Sequence, residues 1–456
     1  MMLEPLGVVR RLTMAPRPRS FRSRKPRLVG VAGIVSLLVV AVLAAGCVSR
    51  VPPRPPERPP PEEIARSFDE AVVAYRGASE AGWTEEACRA VAEHFVEVSR
   101  RDPAGVPAAL FNAGLAWSHC GRHDEARRLF EEANEAEQRL CECPGHAPSL
   151  LRLGAAAYRS GDRRRAKQLF DRAREADRAS ADAYANLGLL QREEGDYVGA
   201  QRELRRALAV DSDHLVAYSQ MALLYLDLAQ KNRQMLDIAE LVCQQATARA
   251  RHVKAAPLRV APIHNAWGLA RLGRGDVVGA TEQFDRARSL DPSLFEAHMN
   301  FGAVNLSFRG YEAAEGAFRT ALKLRPRSYE AQLSLGAALR GLRQLEEARR
   351  AYDAAKGLDP ARPEAYYNLG VLSQDYLLGE AAGMEAQIDV LGQAKADYRR
   401  FLEACQVRPD HCLRPGADGE ERDMRGAARR RIKACDETAA GLREALGATA
   451  AVTPRK

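Results

Sequence analysis

The chain has 456 residues, of which 28% are charged and 6% are aromatic, and its formal net charge is +8. The first 47 residues hold eight arginines and lysines against one acid, Glu4, so they carry +7 of that charge and leave +1 for the rest of the chain. A nearly neutral body gives no electrostatic support to nucleic-acid binding. Its length suits one extended domain or two compact ones.

A segment with the order of a secretory signal opens the chain. Basic residues come first, an apolar run extends from Leu28 to Gly46, and small residues lead up to Cys47. The stretch LAAGC that ends at Cys47 resembles the lipobox of bacterial lipoproteins, which implies a signal peptide over 1–46 and acylation of Cys47. Several acyl chains anchor a protein stably where one binds only marginally. The alternative is an uncleaved transmembrane helix, because the 19 residues from Leu28 to Gly46 are just long enough to span a bilayer.

The residue after the cysteine bears on the destination. Val48 stands where an aspartate would resemble an inner-membrane retention signal. The resemblance therefore implies an outer-membrane lipoprotein that faces the periplasm. Met14 is an alternative start for the chain.

A proline-rich segment, VPPRPPERPPP, occupies positions 51–61. This composition favours extended polyproline II, which rises about 3.1 Å per residue. Residues 51–61 are therefore predicted to form a stalk roughly 30 Å long that holds the body away from the bilayer. Together with the lipidated Cys47 they define a segment over 47–61. A ligand for a proline-recognition domain is the alternative interpretation.

A period of 34 residues organises the chain from Glu62 onward. The stretches ADAYANLGLLQREEGDYVGAQRELRRALAVDSDH (181–214) and APIHNAWGLARLGRGDVVGATEQFDRARSLDPSL (261–294) share Gly at the eighth place, Ala at the twentieth, a bulky residue at the twenty-fourth and Ala at the twenty-seventh. The opening PEAYYNLG at 363 repeats the glycine. The pattern resembles the tetratricopeptide repeat, an antiparallel helix pair. The resemblance implies an all-α fold, a right-handed superhelical solenoid.

Eight units can be followed, and they begin at Pro107, Ala147, Ala181, Leu215, Ala261, Phe295, Tyr329 and Pro363. Their eighth places are glycine or alanine, where a minimal side chain lets the two helices of a pair meet closely. Their twenty-fourth places are mostly large, and we expect these side chains to fill the space between neighbouring pairs: Phe130, Phe170, Leu204, Cys243, Phe284, Phe318, Tyr352 and Tyr398.

The rest of the organisation follows from what falls outside this register. Residues 62–106 are predicted to form a degenerate first repeat with a helix capped by Thr84. Residues 107–405 hold the eight units, with insertions near 228–260 and 375–393. Residues 406–456 are predicted to contain a polar closing helix over 419–446, as terminal repeats need, and a tail. We therefore expect about nine helix pairs and a capping helix.

Catalysis is disfavoured by elimination. A separate catalytic domain needs about 100 residues, and the repeats and cap leave no interval of that length. The sequence has no phosphate-binding glycine loop, no GxSxG elbow and no HExxH helix. We expect neither catalytic residues nor a cofactor.

Eight cysteines remain after Cys47, and exported proteins form disulfides readily. Antiparallel packing brings the start of one unit's second helix to the end of the next unit's first helix, which favours a Cys88–Cys120 bond. A bond from Cys412 or Cys405 to Cys435 would join the closing helix to the last repeat. Cys243 occupies a core place and is expected to be a buried free thiol.

A metal site was weighed for the cysteines and histidines, because the spacing Cys-x-Cys-x-x-His resembles ligand spacing. The residues are His119, Cys120, His123, Cys141, Cys143 and His146. The first three and the last three should lie at opposite ends of a helix pair, about 20 Å apart at 1.5 Å per residue. We therefore expect no metal site.

The resemblance places binding on the first helix of each unit, where the family exposes roughly the second, fifth, sixth, ninth, twelfth and thirteenth places in a groove. The ninth places are all apolar and the fifth are often large, which gives the groove candidates Phe111, Leu115, Leu189, Leu269 and Tyr367. The sixth places include amides that can both donate to and accept from a peptide backbone, namely Asn112, Asn186, Asn300 and Asn368. The alternative is that these asparagines serve the stacking of the repeats. The lysines of members that clamp a terminal carboxylate are absent.

These features favour a non-enzymatic, lipid-anchored scaffold that binds a peptide or amphipathic segment of another envelope protein. In its overall build the chain resembles the myxobacterial gliding-motility lipoproteins and the pilotin-like lipoproteins of secretin assembly. One alternative is an adaptor that regulates peptidoglycan enzymes or outer-membrane protein assembly. Another is polymer binding, for which the three tryptophans offer few exposed aromatic platforms.

Overall fold

The computed structural model describes residues 61–415 and 421–452. The predicted signal peptide, Met14, Cys47, Val48 and all but the last residue of the proline-rich segment lie outside the described residues. The chain divides into two compact units at residue 190. We call them the N-terminal unit (61–190) and the C-terminal unit (191–415 and 421–452).

The described residues are almost entirely helical, as the repeat pattern predicts, which confirms the all-α fold class. In the N-terminal unit the helices are α1 (Pro61–Ala81), α2 (Glu85–Arg100), α3 (Pro107–His119), α4 (His123–Leu140), α5 (Ala147–Arg159), α6 (Arg163–Ala176) and most of α7 (Ala181–Glu193). In the C-terminal unit they are α8 (Tyr197–Val210), α9 (Leu215–Ala229), α10 (Met235–His252), α11 (Pro257–Arg274), α12 (Val277–Leu290), α13 (Phe295–Ser307), α14 (Tyr311–Leu324), α15 (Tyr329–Gly341), α16 (Leu345–Leu358), α17 (Glu364–Asp375), α18 (Met384–Val407) and α19 (Met424–Val452). None of the helices in these ranges is long and apolar enough to cross a membrane.

The small eighth place and the large twenty-fourth place meet within each repeat. A Cβ added at Gly154 would lie 2.5 Å from Cε1 of Phe170, and one added at Gly336 would lie 2.5 Å from Cε1 of Tyr352. The aromatic rings are buried, Phe170 at 1% exposure and Tyr352 at 0%. The glycine is therefore a packing requirement: the first helix approaches the second so closely that the ring fills the place of a side chain.

Several turns inside the repeats are formed by a glycine followed by an aspartate. Gly161, Gly195 and Gly275 have φ between 81° and 89°, a region that glycine enters without strain. The aspartate that follows caps the next helix; the Asp196 carboxylate, for example, accepts from the N–H of Gly199 at 2.9 Å. At the start of α2, Thr84 Oγ1 accepts from the N–H of Ala87 at 3.2 Å.

The two predicted insertions take different forms. The first lengthens both neighbouring helices, so that α10 and α11 each have 18 residues. The second forms a 3₁₀ turn over Leu377–Gly379 ahead of α18, which has 24 residues. The closing helix α19 begins at Met424 and is preceded by a short antiparallel pair, Leu413–Pro415 with Glu421–Asp423, that the sequence did not predict.

Candidate functional site

The fifth, sixth and ninth places of the first helices differ in exposure between the two units. In the N-terminal unit they are half-buried or exposed at Phe111, Asn112, Leu115, Leu151 and Arg152, and half-buried again at Asn186 and Leu189, whereas Ala185, the fifth place of α7, is buried. These residues lie on α3, α5 and α7, and we call the surface they form the N-terminal groove face. It is apolar at the fifth and ninth places and polar at the sixth.

The corresponding places of the last three repeats in the C-terminal unit are buried. They are Met299, Asn300, Ala303, Leu333, Ser334, Ala337, Tyr367, Asn368 and Val371. In these three repeats the fifth, sixth and ninth places therefore offer little accessible surface to a partner.

The expectation that Asn300, Asn368 and Tyr367 contact a partner is wrong for this structure, because the three are only 2%, 3% and 8% exposed. Asn300 Nδ2 donates to Asn265 Oδ1 at 2.9 Å, from one first helix to the preceding one. Asn368 Oδ1 likewise accepts from Arg340 Nη1 at 3.3 Å.

The Tyr367 ring packs edge-on against the rings of Tyr398 and Phe401, with centroids 5.7 and 5.1 Å away. The amides and this ring therefore join repeats to one another, which was the alternative interpretation of the asparagines. Leu269, the remaining candidate in the C-terminal unit, is half-buried beside Phe284 and Val304.

A polar cluster that the sequence did not predict lies at one end of the N-terminal groove face. Tyr75 Oη lies 2.8 Å from His119 Nε2, and the His119 ring stacks on Trp83 with centroids 4.4 Å apart. This contact partly buries the imidazole and lowers the pKa of His119, and the nearby charge of Arg152 lowers it further. Burial raises the pKa of Tyr75, while the charge of Arg152 opposes that change.

Arg152 therefore supplies positive potential to the cluster, whose members come from α1, α3 and α5. It stands at the sixth place of its repeat, where the repeats on either side carry Asn112 and Asn186. An arginine at this place, between two asparagines, is the feature of the sequence that could have indicated the cluster.

The three-residue series Asn112, Arg152 and Asn186 offers a partner both amide and guanidinium groups. The Asn186 amide nitrogen donates to the backbone carbonyl of Asp182 at 2.9 Å, which holds the side chain against its helix. Arg152 is exposed. A guanidinium between two amides suits an extended peptide that presents a carboxylate.

A second recess of the N-terminal unit lies between α2 and α4, with a volume of about 550 Å³. Its floor is apolar, formed by Ala92, Val96 and Leu129, with Trp117 at one side. Glutamates dominate its rim, among them Glu93 and Glu97. Except for Trp117 of α3, its lining comes from the second helices α2 and α4, and none of the lining residues belongs to the groove face.

The described cysteines form three disulfides, Cys88–Cys120, Cys141–Cys143 and Cys405–Cys412. The first is the pairing that helix geometry favoured. The expected bond from Cys412 or Cys405 to Cys435 is wrong. Cys405 lies in the last turn of α18 and the following 3₁₀ turn returns the chain, so Cys405 and Cys412 have Cα atoms 5.9 Å apart. Cys243 and Cys435 are buried thiols.

Ion pairs attach the closing helix instead of a disulfide. Arg431 of α19 contacts both carboxylate oxygens of Asp375, at 2.8 and 2.9 Å. Lys395 of α18 also pairs with Asp436.

The six residues weighed as metal ligands are dispersed. Cys120 is bonded to Cys88, His119 is engaged with Trp83 and Tyr75, and His146 Nδ1 lies 2.8 Å from Ser149 Oγ. Cys141 and Cys143 do approach Glu137, but their sulfurs are joined to each other and offer no thiolate.

The fold and the groove face define a class: an all-α repeat protein whose helix pairs form a scaffold for protein–protein interaction. Models of the tetratricopeptide repeat family match residues 106–179, 151–225 and 304–363. The chain therefore contains tetratricopeptide repeats over these ranges, a class that is typically non-enzymatic. A comparison with curated proteins finds no match.

Solved structures similar to this chain include other repeat proteins. PilF of Pseudomonas aeruginosa is 20% identical, with 48% of this chain and 94% of PilF covered and a TM-score of 0.39. MamA of Desulfovibrio magneticus RS-1, from residue 41 to its end, is 24% identical over 41% of this chain and 97% of MamA, with a TM-score of 0.33. PilW, described as a widely conserved type IV pilus biogenesis factor, is 14% identical over 48% of this chain and 96% of PilW, with a TM-score of 0.39.

Proposed function

We propose that the protein is a lipid-anchored scaffold whose N-terminal groove face binds an extended, acidic segment of another cell-envelope protein. The observation that carries this proposal is the exposed guanidinium of Arg152 between Asn112 and Asn186 on a half-exposed apolar face. Apolar side chains of the partner would occupy the places beside Phe111 and Leu115. A carboxylate of the partner would pair with Arg152, and charge-assisted hydrogen bonds of this kind are the strong ones.

The anchor and the destination are part of the proposal. The LAAGC stretch, the proline-rich segment after it and Val48 support acylation at Cys47 and residence in the outer membrane, facing the periplasm. The groove face lies on α3, α5 and α7, so the partner would be held by the three repeats that follow the degenerate first repeat. The complex would be of the gliding-motility or secretin and pilus type. An adaptor for peptidoglycan enzymes or for outer-membrane protein assembly is the alternative.

Site-specific photocrosslinking in the cell tests the groove. A photoreactive amino acid at Asn112 or Asn186 is expected to capture one envelope protein, and the same residue at Glu135, exposed on α4 away from the face, is expected not to. The substitution Arg152→Glu should abolish capture without changing the circular dichroism, because Arg152 is exposed and stabilises no core. Equal capture from Glu135, or capture that survives Arg152→Glu, would overturn the groove assignment.

The identity of the captured protein separates the candidate complexes. Secretin or motility subunits would support the leading type, and peptidoglycan hydrolases or outer-membrane assembly proteins would support the alternative. The anchor is tested independently by Cys47→Ala, which should move the protein from the outer-membrane fraction to the soluble fraction. If this variant still fractionates with the outer membrane in the absence of the partner, the lipid anchor is refuted.

A further inference from the structure

One of the three disulfides in the described part of the chain differs from the other two in its exposure. Cys405 and Cys412 are buried, and so is Cys88, whose partner Cys120 is half-buried. Cys141 is exposed and Cys143 is half-buried. A thiolate from another molecule can therefore approach the Cys141 sulfur directly, and access is one of the factors that set exchange rates.

The Cys141–Cys143 bond also contributes little to the fold. It joins residues two apart, whereas Cys88–Cys120 closes a separation of 32. The constraint that a disulfide places on the unfolded chain grows with the length of the loop it closes. The bond lies in a six-residue insert between α4 and α5, which the 34-residue period does not require.

Other contacts hold that insert in place. Arg172 Nη2 donates to the carbonyl of Pro144 at 2.8 Å. At Gly145, where φ is 128°, the backbone lies so close to Asn134 that a Cβ would be 1.9 Å from its Oδ1. The insert would therefore keep its position when the disulfide opens.

The free thiols of the described residues are not poised to attack this bond from within. Cys243 and Cys435 are both buried. Burial raises the pKa of Cys243 to about 12 and also raises the pKa of Cys435. Since the thiolate is the nucleophile, both are poor attackers near neutral pH. The exposed disulfide thus stays oxidised until an external thiol reaches it.

From these observations we infer that Cys141–Cys143 is a thiol–disulfide exchange site for a cysteine thiol of another exported protein. The partner thiolate attacks the Cys141 sulfur, a bond forms between the partner sulfur and Cys141, and Cys143 leaves as a thiolate that takes a proton from water. A second thiol of the partner then attacks its own mixed-disulfide sulfur. This releases Cys141, leaves the partner oxidised to a disulfide and leaves Cys141 and Cys143 reduced.

The first experiment compares the three disulfides in one molecule. The folded chain carrying Cys47→Ala is incubated with limiting reduced glutathione near neutral pH, quenched by alkylation and mapped by mass spectrometry. We expect Cys141 and Cys143 to be reduced at least tenfold faster than Cys88–Cys120 and Cys405–Cys412. Equal rates, or slower reduction of Cys141–Cys143, would overturn the inference.

Two variants separate exchange from a structural role. With Cys143→Ser, oxidised glutathione should form a mixed disulfide on Cys141, while the matched Cys412→Ser variant should form none on the buried Cys405. The double variant Cys141→Ser and Cys143→Ser should keep its Tm within about 2 °C of the parent. A much larger fall in Tm would assign the bond to the fold, and the absence of an adduct on Cys141 would refute its role as the attacked sulfur.

Discussion

Because the eighth and twenty-fourth places are in close contact, we expect substitution by alanine to have opposite effects on stability at two glycines of one repeat. A Cβ at Gly302 on α13 would lie 2.7 Å from Cε1 and 2.9 Å from Cζ of Phe318, which is 0% exposed. A Cβ at Gly316 on α14 would meet nothing within 4 Å. Alanine at either site gains the same backbone entropy, so the difference between them isolates the steric contact.

The magnitudes follow from two opposing effects. Replacing glycine by alanine inside a helix stabilises by roughly 0.5–1 kcal/mol, and overpacking a filled core costs typically about 1–3 kcal/mol. Gly316→Ala should therefore raise the free energy of unfolding by about 0.5–1 kcal/mol. Gly302→Ala should lower it by about 1–2 kcal/mol, because the added Cβ would overlap the buried Phe318 ring and the cost of overpacking exceeds the gain in backbone entropy.

Urea titration followed by circular dichroism measures both variants, with the midpoint compared at constant slope. Adding Phe318→Leu to Gly302→Ala provides the control, since a smaller side chain at the twenty-fourth place should make the alanine less costly than it is beside the phenylalanine. If Gly302→Ala stabilises the protein as much as Gly316→Ala does, the glycine is not a packing requirement and the account of the repeat core is refuted.

Three further predictions concern buried charges of the C-terminal unit. Arg192 Nη1 and Asp227 Oδ2 are 2.7 Å apart, with side chains 11% and 4% exposed. Arg192→Met leaves the buried carboxylate unpaired and should lower the free energy of unfolding by about 3–5 kcal/mol. Adding Asp227→Leu should recover most of that loss in the same denaturant assay. Burial would raise the pKa of Glu364, but hydrogen bonds from His411 and Arg362 and the charge of Arg362 hold it at about 2. The carboxylate therefore stabilises the fold above the ordinary pKa of 4.5, and this stabilisation is lost as the pH falls towards 2. Glu364→Gln should flatten the fall in Tm across that pH range. Burial raises the pKa of Asp397 from 3.8 to about 6, so ionisation of this carboxyl destabilises the fold as the pH rises through that range. Asp397→Asn should therefore stabilise the protein by about 1–2 kcal/mol at pH 8 and by almost nothing below pH 4. Equal effects at both pH values would contradict this assignment.

The repeat register could be predicted from sequence because it rests on contacts inside one helix pair. Gly154 and Phe170 are 16 positions apart, and the packing of the two helices of one repeat brings them together. The same holds for Thr84, whose capping bond reaches three residues along the chain. These contacts depend little on the other repeats, so their signals in the sequence are unambiguous.

The exposure of the sixth place could not be predicted in this way, because it depends on how closely one repeat stacks on the next. Asn186 and Asn300 occupy the same place in the repeat. The first is half-buried, while the second is 2% exposed and bonded to Asn265 of the preceding repeat. The periodic pattern does not encode that spacing.

The cysteine pairings at the two ends of the chain show the same distinction. Cys88–Cys120 follows from the antiparallel order of helices, which the repeat fixes. Cys405–Cys412 depends on a 3₁₀ turn after the last repeat, where the period no longer applies. The prediction there assigned Cys435 to a bond, although ion pairs from Arg431 and Lys395 attach the closing helix.

The contrast between the two units also constrains where a partner can bind. In the last three repeats, the amides at the sixth place are used between repeats, as in the Asn300–Asn265 bond, and opening that surface would leave buried polar groups without partners at about 1–3 kcal/mol each. In the N-terminal unit the sixth place of one repeat carries Arg152, between Asn112 and Asn186, and its charge is compatible with exposure and would be costly to bury unpaired. Under the proposed function, a partner carboxylate beside Arg152 would gain a charge-assisted hydrogen bond there. The proposed binding is therefore favoured on α3, α5 and α7, the first helices of the three repeats that follow the degenerate first repeat.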